Sequence, residues 1–270
     1  MRVVALLRIE WIKILRRRAF WVALAADVGI VVAAGSGLYA EIIRRGAVIA
    51  TLAGEWPNIL QFSEIASVIS AAVVVLLVGT EFSWGTARQS VINGLSRNEY
   101  FAAKLLLVPQ MGLLFLLATL LAGASVVIIV ANPPTIVPWF SRVDLHHVGG
   151  TALGILGCGS LAFLIAMTIR GPGPAIAVFV LYLMVERIAA SILMRLEGPG
   201  DAVARHLPWT VFQGLMQRAV YASDAGAHDS VSTLASTTTY SSPGWLAAIA
   251  ALYITGCIGV AFLDFRRRDL

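Results

Sequence analysis

At 270 residues, with 59% hydrophobic and 13% charged side chains and a mean hydropathy of +0.83, this chain is too apolar for water to be its main solvent, since soluble domains are about a quarter charged. Its formal charge of +5 lies in short clusters at the ends of apolar stretches, with no basic face interleaved with stacking aromatics, which excludes a nucleic-acid partner. A bilayer core about 30 Å thick takes roughly 20 apolar residues per helix, so the length allows several spans but no large soluble domain besides.

Residues 1–18 place Val3, Leu7, Trp11, Ile14 and Leu15 on one helical face, with Arg8, Lys13, Arg16 and Arg17 projecting elsewhere. This is the pattern of an interfacial amphipathic helix; a simple basic anchor is the other reading. Six apolar stretches follow, at about 20–39, 60–79, 105–131, 149–169, 173–194 and 244–263, and each is long enough to cross a membrane. The expectation is an all-α integral membrane protein forming one domain over 1–270. The first stretch exceeds the usual apolar run of a signal peptide, about 7 to 15 residues, and is read as a span. Pro109, near the start of the third, predicts a tolerated kink.

With the N-terminus placed inside, thirteen Lys and Arg fall on the cytoplasmic side and seven on the other. Arg16-Arg17-Arg18 and Arg266-Arg267-Arg268 dominate that bias, so both termini are expected in the cytoplasm.

The segment from Glu81 to Tyr100 is longer than a turn requires. Thr86 after Gly85 predicts an N-cap, Val91 and Ile92 give a short helix an apolar side, and Asn93-Gly94 predicts its stop. Ser96 followed by Glu99 is a capping box opening the next helix, which runs through Lys104 into the third span. Gly171-Pro-Gly-Pro174 is a minimal turn between spans four and five. The outside segment 195–243, Ser/Thr-rich from Ser230 to Ser242, is too long for a connector and predicts short external helices such as Trp209–Tyr221.

Catalytic chemistry is missing from the sequence. Lys13 and Lys104 are the only lysines, and neither closes a P-loop. No Gly-x-Ser-x-Gly elbow and no His-Glu-x-x-His helix occur, and His146-His147, placed in a short outside loop, is no metal site. Catalytic and metal-ligating residues are therefore assigned to none, and Cys158 and Cys257 are read as small buried hydrophobes.

Among the ionisable residues within spans, Asp27, Glu186 and Arg187 stand out. An unpaired charge there costs several kcal/mol, so they should face protein or water. Asp27 is close enough to the inner surface to reach an Arg of the amphipathic helix, and a place in a translocation path is its other reading. For Glu186 and Arg187 two readings stand: span five stops near Val185 and leaves the pair at the outer interface, or the pair lines a translocation path. Gly150, Gly154, Gly157 and Gly159 read as a small-residue packing face.

In their order, these features resemble a bacterial ABC-2 type transporter permease. They are Arg8-x-Glu10-x-x-Lys13-x-x-Arg16, six spans, a loop with Gly85-Thr86 and Leu95-Ser96-Arg97 leading to Lys104, and a terminal Phe265-Arg-Arg-Arg-Asp-Leu270. The resemblance covers almost the whole chain and implies a subunit of an exporter in the bacterial cytoplasmic membrane, working by alternating access. It implies two copies of a separate ATPase subunit that bind ATP and Mg, so this chain is no enzyme and holds no cofactor. A second permease subunit, as homodimer or heterodimer, and membrane lipids are the other implied partners.

The loop between spans two and three would supply the coupling helix, with Glu81, Gly85, Thr86, Arg88, Asn93, Gly94, Arg97 and Glu99 at the matching positions. The segment between spans five and six would form a short external gate. The chain departs from polysaccharide exporters in lacking an aromatic belt suited to sugar stacking. A non-transporting membrane subunit for assembly or signalling is the alternative function.

Overall fold

The computed structural model describes residues 2–46, 49, 52, 55–92, 94–133, 139–140, 142–195, 199–224 and 243–267, and the side chains of 8–46 but not of 2–7. Asn93, Arg268 and the Ser230–Ser242 stretch thus lie outside the described residues, as do the side chains of Val3 and Leu7.

The described residues form helices and no strands: α1 (Arg2–Leu15), α2 (Arg18–Arg44), α3 (Trp56–Leu60), α4 (Ser63–Ser83), α5 (Thr86–Ile92), α6 (Arg97–Leu105), α7 (Leu107–Val126), α8 (Arg142–Ile169), α9 (Pro172–Leu193), α10 (Pro199–Arg205), α11 (Pro208–Asp224) and α12 (Pro243–Arg267). A π-helical turn, Val127–Ala131, prolongs α7 and ends at Asn132 with φ +43°. Six helical segments are long and apolar enough to cross a membrane, and the protein is a multi-pass membrane protein. Helices are the form such spans must take, because lipid offers the backbone no hydrogen bonds.

The spans form two tiers. Half or more of the most apolar stretch is buried within the protein for the second, third and fourth spans, against 17% for the fifth and sixth and 22% for the first. Accordingly α4, α7 and α8 form the centre, with α8 packed against α4, α11 and α12, while α2, α9 and α12 lie at the edge.

Several boundaries shift for identifiable reasons. The second span is broken at Gln61-Phe62 between α3 and α4. The third breaks at Leu106, three residues before Pro109, whose missing N–H cannot serve the Leu105 carbonyl. α8 starts at Arg142, so His146 and His147 stand in its first turns rather than in a loop. α9 runs unbroken from Pro172 to Leu193, so the fifth span does not stop at Val185.

α11 was expected outside. It packs between α8, α12, α3 and α9, with Trp209, Val211, Phe212, Leu215 and Met216 buried. The glycine face of α8 admits it: a Cβ on Gly154 would lie 2.7 Å from the Phe212 carbonyl oxygen, and one on Gly157 would lie 2.3 Å from the Phe212 ring. Gly159 instead faces Val108 of α7. The expected small-residue packing is thus present, and most of it serves α11.

Side-chain contacts gather α1, the end of α4, α5, α6 and the end of α12 at one end of the bundle: Tyr100 stacks on Phe265 with centroids 5.9 Å apart, and Arg170 lies over Phe82. The helices that carry the two chain termini therefore share this end.

Candidate functional site

Two polar constructions stand out, one at each end of the bundle. At the end shared by the termini, α4 closes at Ser83 and the chain turns through Gly85, whose φ of +68° suits only a residue without Cβ. Thr86 does not cap the helix it opens. Its hydroxyl donates to the Glu81 carbonyl at 3.1 Å, tying α5 back to α4. α5 stops at Gly94, where φ is +98° and the Leu95 amide reaches the Ser90 carbonyl at 3.2 Å, the six-to-one bond of a Schellman end. The Ser96–Glu99 capping box is formed in full: the Ser96 hydroxyl accepts from the Glu99 amide at 3.2 Å, and Glu99 accepts from the Ser96 amide at 2.9 Å.

Between these stops α5 is anchored by buried Ala87 and presents Arg88, Gln89 and Ile92 outward. Ile92 is 73% exposed and Trp84 71%, so two large apolar side chains flank an arginine on an exposed tip. The Arg17 guanidinium lies 5.5 Å from the Trp84 ring centre and donates to the Thr80 hydroxyl at 2.5 Å. A cavity of about 320 Å³ beside the tip is lined by Ser96, Arg97, Asn98 and Arg266.

Beneath the tip lies a buried ion cluster. The Lys104 ammonium, 1% exposed, sits 2.6 Å from both Glu10 Oε2 and Glu81 Oε1. Lys13 lies 3.0 Å from Glu10 Oε1 and 3.3 Å from Glu81 Oε1, and the Tyr100 hydroxyl donates to Glu81 Oε2 at 3.1 Å. Two carboxylates and two ammoniums balance, which burial at this depth requires. Desolvation alone would pull the Lys13 pKa down; the charges of Glu81 and then Glu10 outweigh it and hold the ammonium above its ordinary value.

This cluster joins α1, α4 and α6, and it corrects the expected orientation of α1. Glu10 and Ile14 face inward, Lys13 reaches into the cluster, and Leu15, expected on the packed face, is exposed with Ile9 and Ile12. Sequence reasoning placed Glu81 in the loop and passed over Glu10, Lys13, Tyr100 and Lys104 as its partners. A signal was present: in a chain of many arginines, both lysines belong to this cluster.

The remaining intramembrane residues do not converge on one path. Asp27 is fully buried and its Oδ2 accepts from the Thr119 hydroxyl of α7 at 3.2 Å, where an Arg of the amphipathic helix was the expected partner. Glu186 turns toward α11, where its Oε1 accepts the amides of Trp209 at 2.6 Å and Thr210 at 3.1 Å. Arg187 donates to Glu64 Oε1 at 3.1 Å, and Glu64 Oε2 accepts from Gln213 at 3.1 Å and Gln217 at 2.8 Å. Glu64 was not singled out from sequence, because a carboxylate in the first turn of a helix is common enough to need no special reading.

Among the described residues no group of His, Cys, Asp and Glu could hold a metal ion. No family model matches the chain, and no curated protein matches it.

Proposed function

We propose that this chain is the membrane subunit of an ATP-driven exporter of the ABC-2 permease type, set in the bacterial cytoplasmic membrane with both termini in the cytoplasm. ATP and Mg are bound by two copies of a separate ATPase subunit, and the chain pairs with a second permease subunit. The observation that carries this reading is the α5 tip. Trp84, Arg88 and Ile92 project from the end of the bundle that gathers the arginine clusters around α1 and α12, and they rest on a charge-balanced base.

A lever needs both features. An apolar and basic tip offers a soluble partner a surface to grip. The Glu10–Lys13–Glu81–Lys104 cluster then binds the hairpin to α1, α4 and α6, so that a push on α5 reaches spans two and three as a displacement of helices rather than as loop bending. Alternating access would follow from two such subunits moving against each other.

The test is mild solubilisation of the tagged full chain from its native membrane, followed by identification of co-purifying subunits and an ATPase assay in nanodiscs. A Walker-A ATPase that co-purifies with the native chain and is lost from an Arg88→Glu, Ile92→Asp variant supports the reading. A native chain that carries no ATPase sinks it in favour of a non-transporting subunit.

A further inference from the structure

α9 is an edge helix, and one of its faces borders a cavity of about 370 Å³. Val178, Leu181, Val185 and Ala189 recur there at helical spacing, Leu207 between α10 and α11 completes the wall, and Tyr182 and Glu186 are its polar members. Val178, Leu181 and Val185 are 42%, 59% and 55% exposed, as befits the rim of a groove open to lipid. From Val178 to Ala189 the groove follows α9 for about 16 Å at 1.5 Å per residue.

Glu186 is only half satisfied in this wall. Its Oε1 accepts the Trp209 and Thr210 amides, whereas its Oε2 has no hydrogen-bond partner in a residue only 6% exposed. The Tyr182 hydroxyl interacts with the carboxylate but makes no full hydrogen bond to Oε2. Arg187, the adjacent cation, is engaged with Glu64. Among the described residues Glu186 therefore has no cation for a partner, and a carboxylate within a span is costly without one. Hydrocarbon cannot supply the missing donor.

We infer that this groove binds a single-chain amphiphile with a primary amine head, its ammonium meeting Glu186 Oε2 and its chain lying against Val178, Leu181 and Val185. Charge selects the head. An ammonium brings N–H donors and the counter-charge together, whereas a hydroxyl brings a donor alone and a carboxylate repels. Volume selects the tail, because about 370 Å³ lies near the lower end of small-molecule pockets and takes one chain rather than two. Direction agrees with both. α9 begins beside the end that carries the α5 tip, where Pro172 abuts Gly79 and Arg170 lies over Phe82. Glu186 thus stands toward the opposite end of the span and Val178 toward its middle, so an amphiphile of that leaflet enters sideways, head and tail already aligned, with α11 in place. The site goes beyond the transporter reading and does not depend on it.

The test is photolabelling of the full chain, without any partner, in phosphatidylcholine nanodiscs, whose choline heads carry no N–H donor. The probes are dodecylamine and dodecanol, each with a diazirine in the chain, and labelled peptides are mapped by mass spectrometry. Dodecylamine should label residues 178–189 about ten-fold more than the exposed stretch of α2 at Ile30 and Val32, the excess expected of one charge-assisted hydrogen bond, while dodecanol should label both alike. Glu186→Gln, which keeps an oxygen for the Trp209 and Thr210 amides, should remove the excess. Leu181→Trp, which fills the groove from its exposed side, should remove it too and serves if Glu186→Gln does not fold. Equal labelling of 178–189 and α2 by dodecylamine would overturn the site, as would an excess that survives either folded variant. The same excess with dodecanol would show a groove that takes any chain and would overturn the amine assignment.

Discussion

Lys104 and Glu81 meet at 2.6 Å with both side chains buried, the lysine on α6 and the glutamate in the last turn of α4. A buried pair of this kind owes its stability to completeness. Lys104 has a second carboxylate in Glu10 and a ring face in Tyr100, while Glu81 has Lys13 and the Tyr100 hydroxyl. Removing one member strands a charge where water does not reach it.

Lys104→Met is accordingly expected to cost about 3–5 kcal/mol, visible as a large fall in the thermal midpoint of the detergent-solubilised protein. Adding Glu81→Gln should recover part of that loss, because the uncompensated charge goes with it. A Lys104→Met midpoint equal to wild type would mean that the cluster is hydrated and carries none of the load assigned to it.

Lys13 offers the internal control. It shares the same two carboxylates but its side chain is 42% exposed, so Lys13→Met should be much milder than Lys104→Met. Its pKa is raised above the ordinary 10.5, so its contribution is fully present below that value and is lost only as pH rises through the higher one. Comparing the wild type with Lys13→Met across pH should therefore give a constant difference from neutrality up to about pH 10. A difference that vanishes near neutral pH would contradict the pairing.

At the α5 tip the expected phenotype is the reverse, with function lost and stability kept. Arg88 is exposed, so Arg88→Glu should leave stability within about 0.5 kcal/mol of wild type and, on the proposed transporter reading, abolish stimulation of the ATPase subunit proposed above. Retained stimulation in a well-folded Arg88→Glu protein would remove the tip from the coupling surface.

The spans were legible because lipid imposes one solution on a long apolar run, and the Ser96–Glu99 box was legible because a capping box is a local code four residues long. Glu186 was recognised as an ionisable residue in a span, but its task was hidden. The helix it caps begins at Pro208, and a cap supplied from another helix leaves no trace in the sequence near Leu207. The orientation of α1 was misjudged for a related reason. An amphipathic wheel assigns charged positions to the outside, whereas Glu10 finds Lys104 across 94 positions and turns inward.

Glycines separate contact from mere composition in this chain. Gly157 on α8 and Gly29 on α2 both occur in apolar spans, and hydropathy treats them alike. A Cβ on Gly157 would stand 2.3 Å from the Phe212 ring, whereas one on Gly29 would meet nothing within 4 Å. Phe212 is fully buried, so its ring has no open space into which to withdraw. Gly157→Ala should therefore cost about 1–3 kcal/mol through overpacking and loosen α11 first, while Gly29→Ala should be neutral or slightly stabilising through helix propensity. Thermal midpoints of the two variants, measured side by side in the same detergent, check this. Equal midpoints would show that α11 does not rest on the glycine face of α8.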